Sequence, residues 1–340
     1  MRLDNRIREW LRFPVRVFSR IAPRTRGPLT HVVILDGTMS TLEAGHESNA
    51  GLTYRLLCET AGRARLSLRY EQGVQWRGWR HALEVIEGRG IDGQIRRAYG
   101  FIASRYRPGD RVFLFGYSRG GYAVRSLAGV IDQVGLLKAQ HATERAIRDV
   151  YRHYQINPEG RAARVFSRRY CHPEMKIEMI GVWDSVKALG LRFPILWKLT
   201  EKRFEFHSHH LGPSVKAGFH ALAMDERREA YAPIMWDSDP NWLGRLEQVW
   251  FRGTHGDVGG HLGGDERARP LSNIPLVWML ERATQCGLLL PEDWRERFPQ
   301  DASAPSVGSM RGFGKLFVLR KGRTVGDDLT ESIHLTARQS

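Results

Sequence analysis

The pentapeptide Gly116-Tyr117-Ser118-Arg119-Gly120 is the feature that most constrains how this chain can fold. Residues 111–115 before it form a short apolar run that is typical of a buried strand. Residues 121–131 after it have the composition of a buried helix. A serine is therefore predicted on a tight turn between a strand and a helix, with glycines that let the two elements pass close together.

This strand–serine–helix arrangement predicts the nucleophile elbow of an α/β-hydrolase. Such a turn lifts the Ser118 hydroxyl out of the backbone. The next amide, that of Arg119, lies at the helix N-terminus, where the helix dipole favours negative charge, and it is a predicted oxyanion donor. The pentapeptide alone is weak evidence in a chain with 35 glycines. A structural turn serine is the alternative interpretation.

Reactive side chains follow four predicted strands. The residues that come after strands 31–35, 111–115, 176–183 and 246–251 are Asp36, Ser118, Asp184 and His255. Strands that alternate with helices predict a parallel sheet, and its carboxyl ends meet at one edge. We therefore predict an α/β-hydrolase-like fold, with a mainly parallel central sheet and helices on both faces. The predicted strand order is 66–70, 31–35, 111–115, 176–183 and 246–251, and residues 214–231 are predicted to be helical.

The order Ser118, Asp184, His255 along the chain is the order of an α/β-hydrolase triad. A serine hydroxyl needs a base within hydrogen-bond reach, and the base needs a partner that fixes its tautomer. His255 is the predicted base and Asp184 its predicted partner. Asp257, two residues beyond His255, and Asp225 remain alternative acids. We interpret Asp225 and the three charged residues after it as a solvated helix face or an internal ion-pair network.

Two other histidines compete with His255, and one alternative invokes a metal. His220 lies in an apolar segment and is interpreted as a core histidine, while His261 follows a glycine pair in a loop. His255, Asp257, His261 and Asp36 could together supply nitrogen and oxygen ligands. Their spacing matches no recognised metal site, so no metal and no cofactor are expected.

The turn after the first strand, Asp36-Gly37-Thr38, holds the position from which hydrolases take their second oxyanion donor. The backbone around Gly37 and Thr38 is assigned that role. Asp36 is predicted to hold the loop by accepting backbone N–H bonds, and Asp257 is a supporting residue of the histidine loop.

The net charge and the cysteine content indicate which partners and which cellular compartment the protein has. The formal net charge is +15, with basic and apolar residues interleaved in residues 1–26. This excess suits an anionic membrane surface as a partner, and no nucleic acid is expected. Three widely spaced cysteines predict reduced thiols, and no secretory signal or transmembrane run is recognisable. A cytoplasmic, membrane-peripheral protein is expected; export of the folded protein and the oligomeric state stay open.

These motifs together resemble a bacterial α/β-hydrolase family of formerly unknown function, related to the catalytic domain of type VI secretion phospholipase effectors. The matching segments are Leu35-Asp36-Gly37-Thr38, Ser48-Asn49, Gly109-Asp110, residues 116–125, residues 182–186 and residues 249–260. The resemblance implies that Ser118, Asp184 and His255 form the catalytic triad of a serine hydrolase. Effector members cleave phospholipid acyl esters, whereas this chain is short and carries Met39 after the Asp-Gly-Thr turn.

The predicted organisation is a basic tail over residues 1–26, one hydrolase domain over 27–325 and a C-terminal tail over 326–340. A cap insertion is predicted at about 186–217, where apolar and aromatic residues suit a fatty acyl chain or form core. The leading function is a serine esterase or lipase acting on lipid or phospholipid esters. A non-catalytic module that binds lipid or protein, and a metal-assisted hydrolase, are the alternatives.

Overall fold

The computed structural model describes residues 26–62, 64–73, 89–186, 209–309 and 319–338. Within these residues a seven-stranded sheet has the order β2-β1-β3-β4-β5-β6-β7, and every neighbouring pair is parallel. The strands are β1 (Thr30–Leu35), β2 (Leu66–Glu71), β3 (Arg111–Tyr117), β4 (Met179–Trp183), β5 (Ala217–Ala223), β6 (Arg245–Phe251) and β7 (Glu331–Ile333). This is the α/β class that the sequence predicted.

Helices connect the strands and cover both faces of the sheet. They are α1 (Asn49–Thr60), α2 (Arg89–Ala103), α3 (Arg119–Gln133), α4 (Glu144–Ile156), α5 (Arg161–Tyr170), α6 (His255–Gly259) and α7 (Arg269–Gln285). One apolar cluster joins α2, α3 and α4 to the sheet, and a second joins α1 and α7 to its other face. Strands covered from both sides carry continuous apolar runs, which is why the central strands were recognisable in the sequence.

The predicted helix over residues 214–231 is wrong. Residues 217–223 form β5, which lies between β4 and β6 and is buried along its whole length. Its composition, Ala-Gly-Phe-His-Ala-Leu-Ala, is rich in residues with good helix propensity. Tertiary burial overrides that local preference. The predicted strand order was therefore correct from β2 to β4 but lacked β5.

The C-terminal residues do not form a separate tail. Glu331–Ile333 is β7, and it pairs with β6 through Gln248–Trp250. The Trp250 indole Nε1 donates a hydrogen bond to Glu331 Oε2 at 2.6 Å, which fixes this edge of the sheet. A strand of three residues leaves too short a pattern to be recognised in a sequence.

Several sequence predictions lie wholly or mainly outside the described residues. They are the basic tail (1–26), the loop over 72–90, most of the cap (186–217) and most of the edge strand predicted over 315–320.

Candidate active site

Ser118 lies on the predicted elbow between β3 and α3. Its backbone has φ 56° and ψ −122°, a conformation that non-glycine residues rarely adopt. The flanking glycines are required by close packing: a Cβ on Gly120 would lie 2.0 Å from the Leu35 carbonyl oxygen, and one on Gly116 would lie 2.5 Å from the Gly120 oxygen. The sequence signature therefore has a direct steric cause.

The Ser118 side chain is hydrogen-bonded to His255, and His255 to Asp184. His255 Nε2 lies 2.9 Å from Ser118 Oγ, and Nδ1 lies 2.6 Å from Asp184 Oδ2. All three residues are buried. A charged Asp184 favours the tautomer with the proton on Nδ1, which leaves Nε2 free to accept the serine proton. The three residues of the predicted triad are thus brought together in the order that general-base chemistry needs.

The His255 ring is held between two tyrosines. Its centroid is 4.9 Å from that of Tyr117 and 4.7 Å from that of Tyr231. The Tyr117 hydroxyl also donates to the His255 carbonyl oxygen at 3.2 Å. A Cβ on Gly259, the last residue of α6, would fall 1.9 Å from the Tyr117 ring, so glycine is needed at this position for the ring to fit.

Asp184 is fully buried, with φ 39°, directly after β4. Its Oδ1 accepts a hydrogen bond from the Ala223 amide at 3.0 Å and one from Arg323 Nη1 at 2.6 Å. Burial acts to raise the pKa of Asp184. The charge of Arg323 and the hydrogen bonds from His255 and Arg323 outweigh it and hold that pKa well below its usual range.

The alternative acids have other partners. Asp257 accepts hydrogen bonds from the Thr254 amide at 2.7 Å and from the Val307 amide at 2.8 Å, so it fixes the start of α6 and a neighbouring loop. Asp225 accepts from the Gly253 amide at 2.6 Å. Both therefore shape the loop that carries His255, while the His255 ring contacts Asp184.

The charged residues 225–228 after β5 include an internal ion pair, which was one of the two interpretations from the sequence. Glu226 is buried and accepts two hydrogen bonds from the Arg228 guanidinium, at 2.8 and 2.6 Å. Its Oε2 also accepts from the His255 amide at 3.2 Å. Burial acts to raise the pKa of Glu226, but the hydrogen bonds and charge of Arg228 lower it below its usual value. Glu226 thus places a fixed negative charge at the start of α6.

His220 and His261 do not replace His255. His220 is fully buried on β5, where its Nε2 accepts a hydrogen bond from the Ser185 amide at 3.0 Å. Burial, together with the charge of Arg125, lowers the pKa of His220 to about 3. It is a core histidine that supports the residue after Asp184. Burial, and then the charges of His255 and His46, lower the pKa of His261.

Asp36 holds the turn through hydrogen bonds, as predicted, but one of them uses the Gly37 amide, which was a predicted oxyanion donor. Asp36 accepts hydrogen bonds at 2.6 Å from the Gly37 amide, the Ser48 hydroxyl and the Tyr70 hydroxyl. Burial raises the pKa of Asp36 despite these bonds. The Gly37 N–H is therefore not available to an oxyanion.

Gly37 serves instead to allow close approach. A Cβ there would lie 2.6 Å from the Tyr117 ring and 3.4 Å from Ser118 Cβ. The Thr38 amide follows in the same turn, and the Arg119 amide opens α3, where first-turn N–H groups have no acceptor within the helix. Thr38 and Arg119 remain the predicted oxyanion donors.

The metal alternative does not agree with these contacts. In the described ranges, 26–62, 64–73, 89–186, 209–309 and 319–338, no group of three or more His, Cys, Asp or Glu side chains is placed to hold a metal ion. Asp36 and Asp257 instead accept hydrogen bonds from neighbouring amides and hydroxyls.

Sequence reasoning missed Arg323 and Tyr231, and it did not connect Glu226, a member of the predicted charged network, with His255. Each contacts Asp184 or His255, yet none stands beside a predicted strand end or in a recognised motif. Arg323 is 139 residues from Asp184 along the chain. No local pattern could have placed it there.

An elbow serine, a histidine at the end of a later strand and a parallel sheet covered on both faces define an α/β-hydrolase-like protein. More narrowly, the chain belongs to the family of Tle1-like type VI secretion (T6SS) phospholipase effectors: the model of that family's catalytic domain matches residues 30–282. The family predicted from the sequence motifs is thereby confirmed.

The chain is also similar to part of a yeast protein and to part of a protein of known structure. The chain is 28% identical over 162 residues to the uncharacterised protein YEL023C of Saccharomyces cerevisiae, which is 44% of this chain and 22% of the yeast protein. A solved structure of the Tle1 effector bound to the VgrG spike of the type 6 secretion system is 20% identical, with a TM-score of 0.39. That similarity covers 69% of this chain and 52% of the effector chain. The chain thus spans about a fifth of one relative and about half of the other.

In the part of the chain that the structure describes, no helix combines the length and the apolar character needed to cross a bilayer.

Proposed function

We propose that this protein is a serine hydrolase that cleaves carboxylic esters of lipids or phospholipids. The observation that carries the proposal is the continuous hydrogen-bonded path from Ser118 Oγ through His255 to Asp184, with distances of 2.9 and 2.6 Å. A buried histidine between a hydroxyl and a carboxylate is the arrangement that activates a serine nucleophile.

In the proposed reaction, Ser118 Oγ attacks the ester carbonyl carbon while His255 Nε2 takes the hydroxyl proton. The carbonyl oxygen becomes an oxyanion, to which the Arg119 and Thr38 amides would donate hydrogen bonds. His255 then protonates the leaving alcohol, and an acyl-Ser118 ester remains. His255 next takes a proton from water as the water oxygen attacks the acyl carbon. When this second intermediate collapses, the bond to Ser118 Oγ breaks, His255 returns the proton to that oxygen, and the fatty acid is released.

Membership of a phospholipase effector family supports a lipid ester as the substrate. The proposed catalytic unit is the α/β domain that begins near residue 27, and it includes the C-terminal residues that form β7. The predicted cap would supply the apolar contacts for an acyl chain.

A fluorophosphonate probe tests the serine mechanism, because it reacts with activated serines. We expect the purified protein to be labelled, and Ser118→Ala to lose both labelling and esterase turnover, by several orders of magnitude. Ser126→Ala is the matched control, since Ser126 lies on the same helix and its hydroxyl bonds to the Tyr122 carbonyl. Full activity in Ser118→Ala would refute the mechanism.

Product analysis tests the substrate class. Phospholipid vesicles and a short water-soluble ester are offered to the same enzyme, and released fatty acid is measured by mass spectrometry. We expect preferential release from the lipid, because an acyl chain supplies binding energy that a short ester lacks. Turnover of the short ester alone would leave a serine esterase that does not act on lipids.

A further inference from the structure

The Arg323 guanidinium is bound to both oxygens of the Asp184 carboxylate. Nη1 donates to Oδ1 at 2.6 Å, and Nη2 donates to Oδ2 at 2.9 Å. The same two nitrogens donate to the carbonyl oxygens of Ala223 and Tyr231, each at 2.6 Å. The Arg323 side chain is only 5% exposed and that of Asp184 is fully buried. Four hydrogen bonds therefore fix a buried positive charge against the predicted triad acid.

Backbone contacts bring Arg323 to this position. The Lys321 amide donates to the Arg227 carbonyl at 2.8 Å, and the Glu229 amide donates to the Leu319 carbonyl at 3.0 Å. Residues 319–321 thus run beside residues 227–229, immediately before Tyr231. Arg323 lies outside residues 30–282, which match the family's catalytic domain. A part of this chain beyond the matched region therefore contributes to the site.

A charge in this position has a defined effect on the histidine. In a serine–histidine–aspartate array, the carboxylate stabilises the imidazolium that forms when the serine proton is taken up. Arg323 compensates part of the charge of Asp184 through a two-pronged ion pair. The carboxylate keeps its orientation toward His255 Nδ1, but it attracts a proton to the ring less strongly than an uncompensated carboxylate would.

We propose that Arg323 is a positioning residue that sets the pH range in which the Asp184–His255 pair can accept the serine proton. It acts through Asp184. The proposal rests on the proposed serine mechanism and extends it, because it assigns the lower limit of the working pH range to a particular side chain.

Removing the positive charge leaves the carboxylate uncompensated. The Asp184–His255 pair then takes up a proton at a higher pH, whichever of the two residues holds it. The reactive form with a free Nε2 is therefore lost at a higher pH, and the acid limb of the rate profile moves upward. Among the described residues, the charged or titratable groups around the pair that stay in place in this comparison include Glu226, Arg228, Tyr231, Tyr117, His220 and His261.

The experiment measures the rate constant for inactivation by a fluorophosphonate from pH 5 to pH 9, in the full-length protein. Arg323→Gln removes the positive charge. Arg323→Lys keeps the charge but cannot bind both oxygens of Asp184 through two nitrogens. Lys321→Gln is the matched control, because it removes an exposed positive charge from the same segment. We expect the acid limb of Arg323→Gln to move up by about one pH unit or more. Arg323→Lys should be slower than the wild type with an unmoved limb, and Lys321→Gln should match the wild type.

Near-ultraviolet circular dichroism establishes which variants are folded. A folded Arg323→Gln with an unmoved acid limb would overturn the proposal. If Arg323→Gln does not fold, Arg323→Met, which also removes the charge, is judged by the same criterion. An Arg323→Lys limb that moves up by a full unit also overturns the proposal. Ser118→Ala separates the two hypotheses. Labelling that persists in that variant refutes the serine mechanism, whereas serine-dependent labelling with an unmoved limb refutes only the role of Arg323.

Discussion

Two of the three predicted triad residues have backbone angles that non-glycine residues rarely adopt. Ser118 has φ 56° and Asp184 has φ 39°. Each is held by a backbone hydrogen bond to the next strand: the Ser118 amide donates to the Trp183 carbonyl at 3.0 Å, and the Asp184 amide donates to the Ala221 carbonyl at 2.7 Å. Strained residues held by their surroundings cluster at functional sites. Here the sheet itself keeps both side chains at its carboxyl edge.

Replacement of the acid tests which carboxylate supports His255. We expect Asp184→Asn to slow fluorophosphonate labelling by roughly 10³–10⁴-fold, because an amide favours the wrong imidazole tautomer. Asp225→Asn is the control, since the Asp225 carboxylate accepts a hydrogen bond from a loop amide, Gly253 N, at 2.6 Å. It should stay within roughly tenfold of the wild type. The assignment of Asp184 would be wrong if the two variants behaved in the opposite way.

Asp184 also makes stability depend on pH. Its pKa is lowered in the folded protein, so its contribution to the free energy of unfolding is complete above the unfolded pKa of about 4. That contribution is lost as the pH falls from there toward the folded pKa. At pH 7, Asp184→Asn should cost roughly 3–5 kcal/mol, because Arg323 is left buried without a counter-charge. In urea unfolding, the difference in free energy of unfolding between the wild type and Asp184→Asn should become smaller below pH 4. A difference that stays constant would contradict this prediction.

At the scale of elements, the elbow depends on contact between α3 and β1. A Cβ on Gly120 would lie 2.0 Å from the Leu35 oxygen and 2.7 Å from the Asp36 oxygen. We expect Gly120→Ala to lower the free energy of unfolding by at least about 1–3 kcal/mol and to reduce labelling of Ser118.

Gly93→Ala on α2 provides the comparison in thermal unfolding. Among the described residues, its Cβ would meet the end of the flexible Arg97 side chain, at 3.0 Å. A glycine-to-alanine change inside a helix stabilises by up to about 1 kcal/mol. Equal stability losses in the two variants would show that the elbow contact is not what requires Gly120.

The sequence allowed the central elements to be predicted but not the edges. Strands β1, β3 and β4 each contain a continuous apolar run, because helices cover both of their faces. Their ends therefore located Asp36, Ser118 and Asp184. Strand β5 was missed because alanine and leucine carry a helical preference that only burial between two strands overrides. The engaged Gly37 amide could not be foreseen, because a turn's hydrogen bonds depend on its folded geometry.

At the scale of the whole molecule, the excess of positive charge predicts membrane association. Residues 1–26 contain eight arginines and two acidic residues, within a chain of net charge +15. We expect binding to anionic vesicles in a sedimentation assay that weakens as salt rises from 50 to 500 mM, because salt screens exposed charges.

A shortened protein that begins at Arg26 should bind these vesicles more weakly. Arg26 is retained because its guanidinium pairs with Asp110 at 2.6 Å. Zwitterionic vesicles are the control and should bind little of either protein. Binding that does not respond to salt would contradict an electrostatic role for the basic residues.

Arg323 marks the limit of what a sequence can reveal about such a site. Its partners, Asp184 and the carbonyl groups of Ala223 and Tyr231, lie in two parts of the chain that are distant from residue 323, and only folding brings them together. Motifs identify residues whose neighbours are local in sequence, as in the elbow. A side chain that acts from 139 residues away leaves no such signature.

The late position of Arg323 also bears on how the protein is made. During translation, Ser118, Asp184 and His255 leave the ribosome well before residue 323 does. Until then the Asp184 carboxylate cannot pair with the Arg323 guanidinium, and burying an unpaired carboxylate is unfavourable. We therefore expect the reactive centre to assemble fully only after residue 323 has emerged, so a product that stops before it would lack this contact to Asp184.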